Sequence, residues 1–441
     1  MLNRREFMAS SAAALTAALA QKADAAPDGA KGEWRNRQSG MAYRQLGRTG
    51  FMISEMVMGG NTIAPDNFEH VLLAMDMGLN YLDTAPAYGN RKSEMGYAKV
   101  IASRKRDTFF LNTKISVWDI NRGKLYQQIF DSLPEPEKKK FRNKAQEEME
   151  RRRSLDQDYL GGYFAGQRPE IELSALCNAM AKTYGHKIDR DRNYKQIVLD
   201  SLDASLKRLG TDHVDLLMCP HGASTQSELL DHPEIFEAFE ILKRKGRRPR
   251  PQTAQKHAGY RCGRQLRFAR APQKRKGRGG AAPNGEEHAV FEAPERVRFA
   301  RVPQKKQGKV RHLGVSAHND PAGILEAAVQ AKVYSAAMVA FNIVNRAYTE
   351  KAVEQARKSG LGVIAMKVAR PVFNGRNNGT PDDPKRVQLV QDAVPGPLKV
   401  PQKAYLWALR NPNLSAVVSE LINANLVKDN LPLAHRKPKG A

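Results

Sequence analysis

From residue 42 onward the chain alternates short apolar runs with amphipathic stretches. Runs of strand length are Met56–Met58, Tyr81–Asp83, Thr108–Thr113, Val214–Met218, Val310–Val315, Ala336–Ala340, Gly362–Met366 and Ala416–Val418. Between them, helical spacing covers Phe68–Met77, Tyr194–Leu209, Pro233–Leu242, Ala322–Ala331, Thr349–Lys358 and Val400–Arg410. Near-continuous apolar strands separated by helices predict a parallel sheet covered by those helices. Eight such strands favour a closed (β/α)8 TIM barrel over an open doubly wound sheet. No Gly-x-Gly-x-x-Gly follows any strand, which removes the main support for the open dinucleotide-binding fold. The stretch Tyr43–Ile53, with Gly47 and Gly50 flanking a tight turn, predicts a hairpin ahead of the first barrel strand. The barrel is expected over residues 42–432.

Two insertions break the alternation. Residues 118–193 follow the third strand and carry a charged helical stretch, Glu135–Arg153. Loops after barrel strands lie on the catalytic face, so this insertion is placed as a lid over the substrate or as a helix on the rim. Residues 244–306 have almost no apolar periodicity and hold 19 Lys/Arg against 4 Asp/Glu. They contain an echo: Arg267–Lys274 and Arg298–Lys305 agree at seven of eight positions, 31 residues apart. Such Arg/Gly/Pro-rich sequence buries too little surface to order itself, so it reads as a disordered insertion, with polyanion binding as the functional alternative. It falls between the fourth helix and the fifth strand, opposite the catalytic face. The segment Arg370–Pro397, rich in Gly, Asn, Pro and Asp, reads as a loop on the catalytic face after the seventh strand.

Charge changes meaning once located. The 441-residue chain has a net charge of +26, a value that suggests nucleic acid or an anionic surface. Residues 244–306 carry a surplus of 15 of it, and their few aromatics, Tyr260, Phe268, Phe291 and Phe299, offer little for stacking bases. Nucleic acid is therefore not the indicated partner. Three scattered cysteines, Cys177, Cys219 and Cys262, form no Cys-x-x-Cys, so neither an iron–sulfur cluster nor a metal site is indicated.

The N-terminus reads as an address label. Asn3-Arg4-Arg5-Glu6-Phe7-Met8 precedes the small, apolar run Ala9–Ala20, and Ala23-Asp24-Ala25 offers a cleavage site before Ala26. This predicts a signal peptide over 1–25 of the twin-arginine type, followed by a linker over 26–41. The apolar run is too short for a stable membrane span. The expectation is export of a folded protein by the twin-arginine machinery to a periplasmic or other extracytoplasmic location. Residues 433–441 read as a basic tail.

Candidate chemistry concentrates at strand ends. Asn80-Tyr-Leu-Asp83-Thr-Ala-Pro-Ala-Tyr88-Gly89 places a carboxylate at the end of one strand and a tyrosine in the loop above it. Lys114 closes the next strand in Phe110-Leu-Asn-Thr-Lys114. Parallel strand ends converge, so Asp83, Tyr88 and Lys114 can meet over the barrel mouth. A free phenol has a pKa near 10; an adjacent ammonium stabilises the phenolate, and the carboxylate holds the ammonium in place. The tyrosine can then give or take a proton while hydride moves at the neighbouring carbon.

In their order along the chain these segments resemble the aldo-keto reductase superfamily. They are Gly47-Arg-Thr-Gly50, Met58-Gly59-Gly60, Asp83–Tyr88, Asn112-Thr-Lys114, Leu202–Asp215, Lys309–Ser316 and Gly360–Ala365. The likeness spans residues 42–430 apart from the two insertions. It implies Tyr88 as proton donor, tuned by Lys114 and Asp83, and a histidine that orients the substrate carbonyl. Here that histidine is His221, six rather than five residues after Asp215, with Pro220 at the usual position; His213 and His318 are weaker candidates. The resemblance further implies NADP(H) held without a Rossmann unit by Gly60, Asn61, Asp83, Ser316, Asn342, Met366, Lys367 and Asn430. Ser419-Glu-Leu-Ile-Asn423 replaces the segment that usually grips the 2′-phosphate, which leaves NAD(H) open. The implied activity is that of an oxidoreductase acting on a small carbonyl or alcohol. A cofactor-binding sensor barrel with little turnover is the alternative.

Overall fold

The computed structural model describes residues 32–156, 159, 167–243, 308–373 and 383–435. The signal-peptide segment, the basic insertion and the extreme C-terminus lie outside them. The fold is the expected one: eight parallel strands close into a barrel. In chain order they are β4 (Met56–Met58), β5 (Tyr81–Asp83), β6 (Phe110–Lys114), β7 (Val214–Met218), β8 (Val310–Ala317), β9 (Ala336–Ala340), β10 (Gly362–Met366) and β11 (Ala416–Ser419). Strand β11 pairs with β4 to close the ring.

Alternation along the strands separates two cores. Val57, Tyr81, Phe110, Leu216, Met218, Met338, Ile364, Met366 and Ala416 fill the barrel interior as one cluster. Their neighbours, such as Leu82, Leu111, Leu217, Leu313 and Val363, point outward into a second cluster beneath the helices. Both faces of each strand are thus apolar, as a covered parallel sheet requires. The third barrel strand runs Phe110–Lys114 instead of Thr108–Thr113, so Lys114 is itself a strand residue. The fifth extends to Ala317 and carries Ser316.

The opposite end is plugged. Strands β2 (Tyr43–Gln45) and β3 (Phe51–Ser54) form the antiparallel hairpin, and β1 (Glu33–Trp34), inside the stretch expected to be a linker, pairs parallel to β3. The turn needs Gly47: its φ is +48°, and a Cβ there would stand 2.2 Å from the Gly362 nitrogen. Phe51 stacks on Phe110 at 4.4 Å, closing the barrel floor. Around this floor Asp215 is fully buried and ion-paired to Arg35, Arg106 and Arg311 at 3.0, 2.7 and 2.9 Å, and Arg35 and Arg311 also hold Glu33. Burial alone would raise the Asp215 pKa, but the three guanidiniums and the Leu111 N–H outweigh it and hold the carboxyl below its ordinary range.

The outer helices are α1 (Glu69–Asp76), α2 (Lys92–Ser103), α3 (Val117–Asp131), α4 (Glu135–Arg151), α5 (Arg168–Tyr184) and α6 (Ile197–Leu209). They continue with α7 (Ser227–Leu230), α8 (Pro233–Leu242), α9 (Pro321–Ala331), α10 (Arg346–Lys358), α11 (Pro384–Ala393), α12 (Val400–Leu409) and α13 (Ala424–Asn430). Helices α3, α4 and α5 lie between β6 and β7, where the first insertion was expected. The expected start of α6 at Tyr194 is corrected: a π-helical turn, Asp191–Gln196, precedes it. Within Arg370–Pro397 the loop expectation fails for Pro384–Ala393, a helix whose first turn Asp383 caps by accepting from the Lys385 N–H. Helix α2 had no counterpart among the expected elements.

Candidate active site

Period-two alternation aims Asp83 on β5, and Asn112 and Lys114 on β6, into the barrel. Asp83 sits level with Asn112, and Lys114 rises one pleat higher. The loop after β5 then turns Tyr88 back over them. Its shape is set by the Tyr88 N–H donating to Ala85 O at 3.1 Å and by three successive positive-φ residues, Gly89, Asn90 and Arg91. Thr84 and Ser93 hydroxyls meet at 2.7 Å, and Glu94 accepts from Thr113 at 2.8 Å and from Arg208 at 2.6 Å. The Ser93-Glu94 pair therefore fastens α2 to the strand that carries Lys114.

The three groups meet. Lys114 Nζ donates to Asp83 Oδ1 at 2.5 Å, to Tyr88 Oη at 2.9 Å and to Thr84 O at 3.2 Å. Its three N–H donors are all used, and the side chain is 0% exposed. Asn112 Nδ2 also donates to Asp83 Oδ1, at 2.5 Å. Burial lowers the Lys114 pKa, and the Asp83 carboxylate beside it opposes the shift. Only the phenol is part-exposed, so it is the member of the trio that a substrate can reach.

His221 joins them. It follows the cis Cys219–Pro220 bond at the end of β7, and its ring meets that of Tyr88 edge to face at 5.7 Å. The extra residue in the spacing does not keep it from the site. Nδ1 lies 2.6 Å from Ser116 Oγ. Burial, with Lys114, His318 and Lys367 nearby, holds the imidazole well below the usual histidine range, so it is neutral near pH 7. His318 lies 6.5 Å from His221, and burial with Lys367 and Lys114 depresses it to about 3. His213 is elsewhere, before β7 and 2.6 Å from Asp212.

Gly60, Asn61, Ser316, Asn342, Met366 and Lys367 lie at or just after the C-terminal ends of other barrel strands. The Ser316 hydroxyl is buried at the end of β8 with no hydrogen-bond partner, so a donor and acceptor stand ready for a ligand amide. Met366 ends β10 and Lys367 follows it at φ +60°. Asn342, after β9, donates to Lys367 O at 3.3 Å while its own oxygen accepts from Val344 N at 3.0 Å. Gly60 is buried at the end of β4 and Asn61 is exposed beside it. Asn430, at the end of α13, accepts from Gln402 at 3.5 Å. Glu420 is exposed, and Asn423 caps α13 through Leu426 N at 2.9 Å. Among the described residues no group of His, Cys, Asp or Glu is arranged to hold a metal ion.

Two neighbours escaped the sequence. Ser116 and Asp119 follow Lys114 directly, yet both turn toward a loop more than 100 residues away: the Asp119 carboxylate accepts from the His221 and Gly222 N–H groups at 3.2 and 3.1 Å. Farther along the insertion, Arg152 and Tyr159 reach Asp320 after β8, and the Arg153 guanidinium lies over Tyr348 at 5.0 Å. The insertion thus crosses from the third strand's loop to that of the fifth.

The model of the aldo/keto reductase family matches residues 55–165, which include Asp83, Tyr88 and Lys114. That stretch of the chain is similar to the aldo/keto reductase family. Among curated members, the aldo-keto reductase YhdN of Bacillus subtilis is 31% identical over 111 residues, which are 21% of this chain and 34% of that protein. The match spans about a third of the relative's length. Among solved aldo-keto reductases, the holo form of AKR11C1 from Bacillus halodurans shares 17% identity, over 90% of this chain and 92% of that one, with a TM-score of 0.49. The thermostable aldo-keto reductase Tm1743, in complex with the inhibitor epalrestat, shares 17% over 91% and 96%, with a TM-score of 0.46.

Proposed function

We propose that the protein is an NAD(P)-dependent oxidoreductase that interconverts a small carbonyl compound and its alcohol. One observation carries this reading: the buried Lys114 ammonium bridges the Asp83 carboxylate and the Tyr88 hydroxyl. A reduced nicotinamide, when bound, supplies the hydride. Ser316, with its unpartnered buried hydroxyl, fits a carboxamide, and Met366, Lys367, Asn342, Gly60 and Asn61 rim the space beside it. His221, neutral and tied through Nδ1, has Nε2 left to donate to the carbonyl oxygen and polarise it. Tyr88 gives its proton to that oxygen as it gains charge, and Lys114 stabilises the phenolate left behind. Asp83 keeps Lys114 charged and aimed. In the reverse direction the phenolate takes the alcohol's proton.

The test is turnover of a carbonyl panel followed by nicotinamide absorbance, for wild type and Tyr88→Phe. Loss of the phenolic proton is expected to lower kcat by about 10²- to 10⁴-fold while the cofactor still binds. Equal rates for both proteins would overturn the reading, and tight cofactor binding without turnover would point to the sensor barrel. NADP(H) is the cofactor proposed. Glu420 and Lys428 are the charged groups between Ser419 and Lys428, so parallel titrations with NADPH and NADH test the choice directly.

The N-terminal segment supports a second proposal, export of the folded protein by the twin-arginine route to an extracytoplasmic location. Arg4-Arg5 followed by Phe7, the short apolar run and the Ala23-Asp-Ala25 site support it. Among the described residues no helix is long and apolar enough to cross a membrane.

A further inference from the structure

The segment that delivers Lys114 continues for five more residues into a second task. Strand β6 ends at Lys114, the Ile115 N–H donates to Met218 O at 2.9 Å, and α3 begins two residues later. That turn sets Ser116 and the first turn of α3 against the loop that follows β7. Asp119 Oδ2 accepts from the backbone N–H groups of His221 and Gly222, and Ser116 Oγ reaches His221 Nδ1. On its other side the same loop is pinned to β8, where the Ser316 N–H donates to Pro220 O and the Ala223 N–H to Ser316 O, both at 3.1 Å. His221 is therefore fixed from two directions, and among the described residues only Asp119 does so with a titratable group.

We propose that Asp119 is the positioning residue for His221: its carboxylate grips the histidine's backbone while the Ser116 hydroxyl donates to Nδ1, which leaves Nε2–H as the donor to the substrate oxygen. This role rests on the oxidoreductase reading of the site. It needs no contact between Asp119 and substrate, because Asp119 acts wholly through His221 and Gly222.

The surroundings make the grip dependent on protonation. Asp119 is part-buried, and its other oxygen, Oδ1, is buried with no hydrogen-bond partner. The groups facing it are the Glu228 carboxylate on α7, the buried Cys219 thiol at the end of β7 and the buried Tyr334 hydroxyl before β9. Arg122, one turn along α3, is committed to Glu228 at 3.1 Å. Burial and then Glu228 raise the Asp119 carboxyl to about 7, against the pull of the two N–H groups it accepts. Above that pH the carboxylate makes two charge-assisted hydrogen bonds; below it the protonated group makes weaker ones. The histidine's hold therefore loosens as pH falls through 7, in a range where the depressed His221 itself does not change charge.

The experiment uses the full chain, with nitrobenzaldehyde and NADPH as probes. Asp119→Ala is expected to lower kcat on the order of 10²-fold, the cost of a misplaced group about 1 Å from its working position, with the KM for NADPH unchanged. In a His221→Ala background the same change should cost about twofold at most, because the two residues act as one unit. Asp119→Asn keeps a neutral acceptor; it should restore most of kcat and remove the limb of the pH–rate profile near 7. Independent additive losses from Asp119→Ala and His221→Ala, or an unchanged limb in Asp119→Asn, overturn the proposal. A readout without turnover separates it from the function it rests on. In ¹⁵N-imidazole NMR of the cofactor-free protein, His221 should show the Nε2–H tautomer, and Asp119→Ala and Ser116→Ala should each mix the tautomers. Wild-type tautomer in both sinks the positioning role whatever the kinetics show; a tautomer change in a protein that turns nothing over supports the role and sinks the oxidoreductase reading.

Discussion

At the end of β4 the chain passes so near β5 that a Cβ on Gly60 would stand 2.0 Å from the Asp83 carbonyl oxygen. The neighbour is backbone and cannot swing away, so a methyl group must displace the strand end that holds Asp83. Gly60→Ala is therefore expected to cost about 1–3 kcal/mol in urea unfolding and to disturb the Asp83–Lys114 contact. A variant with wild-type stability and wild-type kcat would contradict this. Much of the site at this scale was legible in the sequence. Asp83 and Lys114 announce themselves as ionisable groups closing apolar strands, and Tyr88 as an aromatic a fixed step beyond one of them. Ser116 and Asp119 carried no such signal, since their partner is a loop that sequence proximity does not relate to them. His221 was legible despite an irregular spacing because the strand before it, Val214–Met218, was clear.

Elements owe their arrangement to both ends of the barrel. On the floor, Asp215 ties β7 to β8 through Arg311, to the segment before β6 through Arg106, and to the chain after β1 through Arg35. Replacing it by asparagine leaves three guanidiniums facing a neutral group and is expected to cost about 3 kcal/mol at neutral pH. The sign with pH follows from its depressed folded pKa. The stabilisation is fully present above the unfolded carboxyl's pKa of about 4 and is lost as pH falls below it toward the folded value. Urea midpoints compared between wild type and Asp215→Asn should converge through that acidic window and differ most above it; a constant difference at all pH values would refute the assignment. None of these pairings could be read from the chain, because ion pairs follow from how strands align. Helix α11 was missed for a simpler reason: Gly, Asn, Pro and Asp around it mask a short helix whose Asp383 and Pro384 are themselves start signals.

The whole molecule was the most legible scale, because eight apolar runs of strand length with helical spacing between them leave few alternatives to a closed ring. What the chain's pattern alone could not give was the internal build of helices α3 to α5 between β6 and β7, which join the main apolar core through Trp118, Tyr126, Phe141, Cys177 and Met180 and add a buried polar cluster. Arg122, Ser174 and Glu228, for example, bind one another at 3.1 and 2.5 Å. The export proposal also belongs to this scale. Replacing Arg4 and Arg5 together by lysine should leave the protein in the cytoplasmic fraction of a host with a twin-arginine pathway, still folded and able to bind nicotinamide. Undiminished appearance in the periplasmic fraction would remove that route.

The residues that flank the basic insertion meet on the floor side of the barrel. The Lys309 N–H donates to Leu242 O at 2.8 Å, and Lys243 bridges to Val310. The eighth helix therefore hands over to the fifth barrel strand across direct backbone contacts, as a short connection would. That closure leaves the ring continuous between Lys243 and Gly308 without the residues that separate them in sequence, and it marks this junction as a docking port for fluorescent tags or grafted domains far from the chemistry at the mouth.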